Sequence, residues 1–162
     1  MRYYQEGSKS FKDMKHVYIW TDGASKGNPG PGGYGVVIKY EDKSGKETRL
    51  EMKEAFRETT NNRMELLGAI VALEKLKEPC KVTLTSDSKY LVNAFNENWI
   101  ENWIKKDFRR GKVDEVKNID LWERIINLSK IHDITFVWVK GHAENIENER
   151  CDRLANEAIA DL

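Results

Sequence analysis

The apolar pattern changes period partway along the chain. His16-Val17-Tyr18-Ile19-Trp20 is β-branched and aromatic and reads as a strand, closed by Thr21 and Asp22. Gly23 to Gly33 is so rich in Gly and Pro that the strand is expected to stop and turn there. Tyr34 to Tyr40, with Val36, Val37 and Ile38, gives a second strand, and Glu41 to Lys46 a polar hairpin turn. Glu47 to Phe56 supplies a third, charge-rich strand. Three strands joined by such short links run as an antiparallel meander.

Beyond Phe56 the repeat becomes three and four. Thr59-Thr60-Asn61-Asn62 is a run of helix-capping residues, and a helix is expected from Arg63 to Lys77, closed by Pro79. Leu66, Ile70, Leu73 and Leu76 fall on one stripe, with Glu65 in the first turn. Val82 to Asp87 is a short strand that ends, like the first, in an aspartate. Helices follow over Ser88 to Asn96, Asn98 to Lys106 and Asp120 to Lys130, with a basic, Gly-containing loop over Phe108 to Lys117. Ile134 to Val139 is the last strand, Gly141 to Glu149 a polar loop and Cys151 to Leu162 the final helix. A meander followed by strands alternating with helices predicts an α/β fold. Its five-stranded mixed sheet would hold three antiparallel strands, then parallel ones, flanked by helices. Residues 1–15, polar and without a period, read as an N-terminal tail, and residues 16–162 as one domain.

Composition narrows this further. The 162 residues carry 27 Lys plus Arg and 27 Asp plus Glu, a net charge of zero, so any electrostatic partner must be met by a local patch. Cys80 and Cys151 are too few for a disulfide framework, and neither lies in a Cys-x-x-Cys or Cys/His cluster. Free thiols in a reducing cytosol and no zinc site are expected. No apolar run approaches membrane-spanning length, and the N-terminus lacks the apolar core of a signal peptide, so a cytoplasmic protein without a membrane partner is expected.

The chemistry rests on four acids. If the strands ending at Asp22 and Asp87 are parallel neighbours, their carboxylates project from adjacent strand ends. Glu65, near the start of the crossover helix, and Asp152, near the start of the last helix, could reach the same edge. Each close pair would repel by roughly 4 kcal/mol at an effective dielectric of about 20. A multivalent cation makes such a cluster tolerable, and all-oxygen ligation points to magnesium or manganese. Two ions roughly 4 Å apart would suit phosphodiester hydrolysis. Any one of these acids taken alone could instead be a turn or cap residue.

Several motifs carry a resemblance. Thr21-Asp22-Gly23 with Gly27-Asn28-Pro29-Gly30-Pro31-Gly32-Gly33-Tyr34-Gly35, then Thr60-Asn61-Asn62-Arg63-Met64-Glu65-Leu66, look like type 1 ribonuclease H. So do Thr85-Ser86-Asp87-Ser88, Trp138-Val139-Lys140-Gly141-His142-Ala143 and Asn148-Glu149-Arg150-Cys151-Asp152-Arg153-Leu154-Ala155, in the family's order and spacing from His16 to Leu162. The resemblance implies an endoribonuclease that cuts the RNA strand of RNA–DNA hybrids, leaving 5′-phosphate and 3′-hydroxyl ends. It implies two Mg2+ ions, replaceable by Mn2+, held by Asp22, Glu65, Asp87 and Asp152, with Asp22 bridging. His142 matches the family's histidine for proton transfer or product release.

For the substrate, the resemblance implies contacts from Asn28, Thr60, Asn61 and Asn62 near the cleft, and from Ser88 and Lys89 on the RNA strand. Thr60 and Asn61 can also cap the helix. Trp99 and Trp103, with Lys105, Lys106, Arg109, Arg110 and Lys112, resemble the family's basic protrusion. Over Asn98 to Lys117 six basic residues stand against four acidic ones, so a modest electrostatic grip is expected. Trp122, inside an apolar helical stripe, reads as core. A monomer is expected. Ser25 stands where some relatives have Cys, and Glu144-Asn145-Ile146 departs from the family's hinge. Two alternatives remain at this point: a hybrid-binding protein without catalysis, and a nuclease or transposase-like enzyme on the same fold.

Overall fold

The computed structural model describes residues 14–110, 114–141 and 145–162, with backbone only at Arg109, Arg110, Asp114 and Glu115. The predicted tail therefore lies outside the described residues except at its end, where Met14 is buried and Lys15 begins the first strand. Strands β1 (Lys15–Ser25), β2 (Gly30–Glu41) and β3 (Glu47–Thr59) are followed by helix α1 (Asn61–Glu74) and strand β4 (Cys80–Ser86). Helices α2 (Lys89–Asn96) and α3 (Trp99–Lys105) come next. A two-residue ribbon, β5 (Arg109–Arg110) with β6 (Asp114–Glu115), lies within the predicted basic loop. Helix α4 (Ile119–Ile131), strand β7 (Asp133–Trp138) and helix α5 (Ile146–Ala160) complete the chain.

The main sheet has the order β3-β2-β1-β4-β7. The first three strands are antiparallel, and β4 and β7 join them in parallel, as the sequence pattern predicts. Side chains alternate across this sheet. Val17 and Ile19 of β1, Val36 and Ile38 of β2, and Val82 and Leu84 of β4 face the larger core, which α1, α2 and α4 cover. Trp20, Val37, Cys151 and Leu154 form a second, smaller core beneath α5 on the opposite face.

Three features differ from the sequence reading, each for a physical reason. The glycine run is not simply a loop, because β1 continues through Ser25 and β2 already begins at Gly30. Here the glycines clear space for helices. A Cβ on Gly35 would overlap the Cys151 carbonyl oxygen of α5, and one on Gly33 would sit 3.1 Å from the Ala155 carbonyl. Helix α1 buries more than one stripe, with Met64, Gly68, Ala69 and Ala72 enclosed as well as Leu66, Ile70 and Leu73, since it lies between the sheet and α4. Helix α5 starts five residues earlier than its apolar pattern suggests. The Asn145 side chain caps it by accepting from the Asn148 amide at 3.0 Å. Its first turns spend their polar side chains on the sheet: Glu147 pairs with Lys39 and Arg49, and Arg150 with Glu51, so no apolar period marks them.

Candidate active site

The parallel pairing of β1 with β4 ends at Thr21 opposite Ser86. Asp22, still within β1, and Asp87, just past the end of β4, are the next residues, so the register brings two carboxylates to the same sheet edge. Glu65 arrives from α1. Its approach depends on Gly23, where a Cβ would lie 2.7 Å from the Glu65 amide nitrogen. Carboxylate oxygens of Asp22, Glu65 and Asp87 all lie within 4.8 Å of one another. Gly141 allows the chain leaving β7 to pass the same place, since a Cβ there would be 2.8 Å from Asp87 Oδ2.

The electrostatics of this trio are unfavourable. Asp22 and Glu65 are only 5% and 4% exposed, and no cation pairs with either among the described residues. The Gly23 amide donates to Asp22 Oδ1 at 2.9 Å and to Glu65 Oε1 at 3.1 Å. Glu65 Oε2 is buried without a partner. Burial, reinforced by the charges of Asp87 and Asp152, pushes Asp22 up to about 8. Burial, followed by Asp22 and Asp87, holds Glu65 well above the usual carboxylate range. A buried carboxylate oxygen with a free lone pair, facing two more carboxylates, is a hard-oxygen donor set suited to a divalent cation.

Asp152 lines the same cleft, with Asp22, Glu65 and Asp87, but stands outside the close trio. It is the seventh residue of α5 rather than near its start. The Asn156 side chain donates to the Asp152 carbonyl at 2.9 Å and to its carboxylate at 3.3 Å, and accepts from Lys26 at 3.1 Å. His142 lies outside the described residues, as does Lys112.

The predicted substrate residues divide into groups. Asn61, Asn62, Ser88 and Lys89 line the acid cleft. Thr60 is the N-cap of α1, accepting from the Arg63 amide at 3.3 Å, and Ser88 is the N-cap of α2, accepting from Leu91 at 3.2 Å. Asn28 Oδ1 accepts from the Asn61 amide at 3.1 Å, which ties the β1–β2 connection to the start of α1. The Lys89 ammonium lies 5.0 Å above the Trp138 ring, whose indole N–H donates to the Asp87 carbonyl at 3.1 Å. Trp99 and Trp103 are half-buried and wall a second hollow beside the cleft with Lys117 and Asn118. Lys105 and Lys106 stand exposed at the end of α3 and line neither space. Trp122 is fully buried, as its apolar stripe predicts.

Sequence reasoning passed over Tyr90, which lines both hollows. Its only signal was a position three residues after Asp87 on a helix start.

Comparison with known proteins agrees with this geometry. A protein-family model described as RNase H matches residues 14–160. Ribonuclease H of Lachnoclostridium phytofermentans is 56% identical over 143 residues, covering 88% of this chain and 90% of the relative. Among solved structures, LC9-RNase H1, described as a type 1 RNase H with the type 2 active-site motif, superposes with a TM-score of 0.82 at 29% identity. That match covers 91% of this chain and 74% of that one. LC11-RNase H1 in complex with RNA/DNA hybrid superposes with a TM-score of 0.65 at 30% identity, covering 90% and 97%.

Proposed function

Since this chain belongs to the ribonuclease H family, we propose that it is a metal-dependent endoribonuclease that hydrolyses the RNA strand of RNA–DNA hybrids. The observation that carries the reading is the trio Asp22, Glu65 and Asp87, within 4.8 Å of one another at one sheet edge, with a buried Glu65 oxygen left unpartnered. These three and Asp152 would hold two Mg2+ ions, with Mn2+ able to substitute. Bound there, the ions supply Lewis-acid activation of water and stabilisation of the departing 3′ oxygen, which gives 5′-phosphate and 3′-hydroxyl ends.

The chain's own residues do the rest. Asp22 and Glu65, nearly buried, present fixed oxygens, and the Gly23 amide orients one oxygen of each. Asn61 and Asn62 at the mouth offer amide donors and acceptors to sugar and base edges, where a 2′-hydroxyl distinguishes RNA from DNA. Asn28 acts on this mouth by holding Asn61, and Thr60 by capping the same helix start. Ser88 and Lys89 flank the third acid on the RNA side. Trp99 and Trp103 give the DNA strand an apolar wall, and Lys105 and Lys106 add longer-range attraction. His142 takes the role of proton transfer or product release, and its neighbour Gly141 lies against Asp87 in support of this.

The family match from residue 14 supports a catalytic domain over residues 16–162, preceded by a tail. A monomeric enzyme is part of this reading. A cytoplasmic site of action completes the reading; among the described residues no helix is long and apolar enough to cross a membrane.

The deciding experiment is cleavage of a labelled RNA–DNA duplex, with magnesium or EDTA, against RNA–RNA and DNA–DNA controls. Magnesium-dependent cutting of RNA in the hybrid alone is expected. Hybrid binding without cutting would replace the reading by a non-catalytic binder, and cutting of every duplex by a different nuclease on this fold.

A further inference from the structure

The acid cleft and the tryptophan hollow share one wall, made by Asn62 and Tyr90. Tyr90 is the second residue of α2, and its phenol oxygen accepts two hydrogen bonds. One comes from Asn118 Nδ2 at 3.1 Å and the other from the indole N–H of Trp122 at 3.0 Å. Asn118 hands the connection on, because its Oδ1 accepts from an Arg63 guanidinium N–H at 3.2 Å. The same guanidinium forks onto Asp120 at 3.1 and 2.8 Å. Arg63 belongs to the first turn of α1, next to Asn61 and Asn62. Trp122 in turn meets Trp103 edge-on, with ring centroids 5.0 Å apart, and Trp103 lies 6.4 Å from Trp99. The hydroxyl thus joins α2 to α4, and Asn118 and Trp122 carry the connection on to α1 and α3.

On the reading of a duplex substrate, we infer that Tyr90 is a positioning residue that holds the tryptophan hollow in register with the acid cleft. A duplex presents its two strands at a fixed separation, so a site that takes one strand on the acids and the other on tryptophan must keep the two surfaces at a matching distance. Tyr90 and Asn118 set that distance through side chains at the seam. Both lone pairs of the phenol are occupied by protein donors. Its proton has no acceptor among the described residues and remains available to a phosphate or sugar oxygen crossing the seam. A network serving folding alone has no need to lie at the one wall the two hollows share.

The test compares wild type with Tyr90→Phe, Asn118→Gly and Trp103→Leu, and with the double variant Tyr90→Phe/Trp103→Leu. Asn118 sits at φ 61°, a conformation glycine adopts freely, so Asn118→Gly cuts the link to Arg63 without straining the fold. Binding of a labelled hybrid is measured by anisotropy in EDTA, and kcat and KM in magnesium. Melting curves accompany each variant. Tyr90→Phe and Asn118→Gly are each expected to weaken hybrid binding and raise KM by about tenfold, with kcat at saturation retained. Tyr90→Phe should add little once Trp103 is removed, because both act on the same surface.

Unchanged hybrid affinity in both single variants would overturn the inference. So would affinity losses that add fully in the double variant, or that merely track a lower Tm with kcat falling in parallel. A wild type that binds the hybrid without cutting it would remove the proposed activity and leave the affinity comparison standing as the test of Tyr90. A wild type that does not bind the hybrid at all would overturn both.

Discussion

Two groups of carboxylates at different places on the same sheet are treated in opposite ways. Where α5 crosses β3, the Arg150 guanidinium, joined by Arg49, pulls Glu51 down to about 2, and Arg49 and Lys39 likewise hold Glu147 below the usual range. At the edge formed by β1 and β4, burial and neighbouring charge push Asp22 up to about 8. The first group has its cations within the chain and lies near solvent, where such pairs contribute little. The second is almost enclosed and lacks cations among the described residues. A fold that supplies cations to one set of acids and withholds them from another leaves the second set for an external cation. Perturbed, buried carboxylates in a cleft mark a functional site on these grounds.

That contrast can be broken most directly at Asp22. Asp22→Asn is expected to reduce cleavage of a hybrid to background while raising Tm in EDTA by a few degrees, because one member of a repelling trio is neutralised. A Tm that falls instead would show that the acids support the fold rather than strain it. Next in size is Gly35→Ala. Its methyl group would overlap the Cys151 carbonyl and displace α5, costing about 3 kcal/mol and lowering Tm by roughly 10 °C. Hybrid cleavage should fall as well, since α5 carries Asp152.

A smaller effect sharpens the electrostatic side. Asp22 shifts from an ordinary 3.8 to about 8, so between these values the folded state binds a proton that the unfolded chain releases. The metal-free protein therefore loses stability through this group as pH rises from about 4 to about 8. Thermal melts in EDTA across that range should show a slope that Asp22→Asn flattens. Magnesium should counter it most strongly near pH 8, where ions need displace the fewest protons. Smallest of all is Glu51→Gln in the paired group: after allowance for solvent screening, Tm should fall by no more than about 3 °C, with cleavage unchanged. A larger loss would mean that the surface pairs anchor α5.

The sheet and the edge shared by Asp22 and Asp87 were legible because they rest on local signals. β-branched runs mark strands, and an aspartate ending each of two parallel strands marks an edge. The glycine run misled because loops and close-packed strands draw on the same residue. Only the helix lying above Gly33 and Gly35 tells them apart, and that helix comes more than a hundred residues later. The start of α5 was hidden for a related reason: Glu147 and Arg150 bond to the sheet through charge, so the stretch carries no hydrophobic period. Tyr90 was missed because its importance lies in Asn118 and Trp122, partners that no spacing rule connects to it.

Helix α5 rests on bare backbone at Gly33 and Gly35, so at those two points its seat on the sheet contains no side-chain spacer that could be resized. This makes α5 an interchangeable cartridge. A donor helix from another member of the family should seat at the same depth, and deliver its own acid to the cleft, in any recipient that keeps both glycines. In a library randomising β2, those two positions should be the first to fall silent, well before the apolar positions Val36 and Ile38.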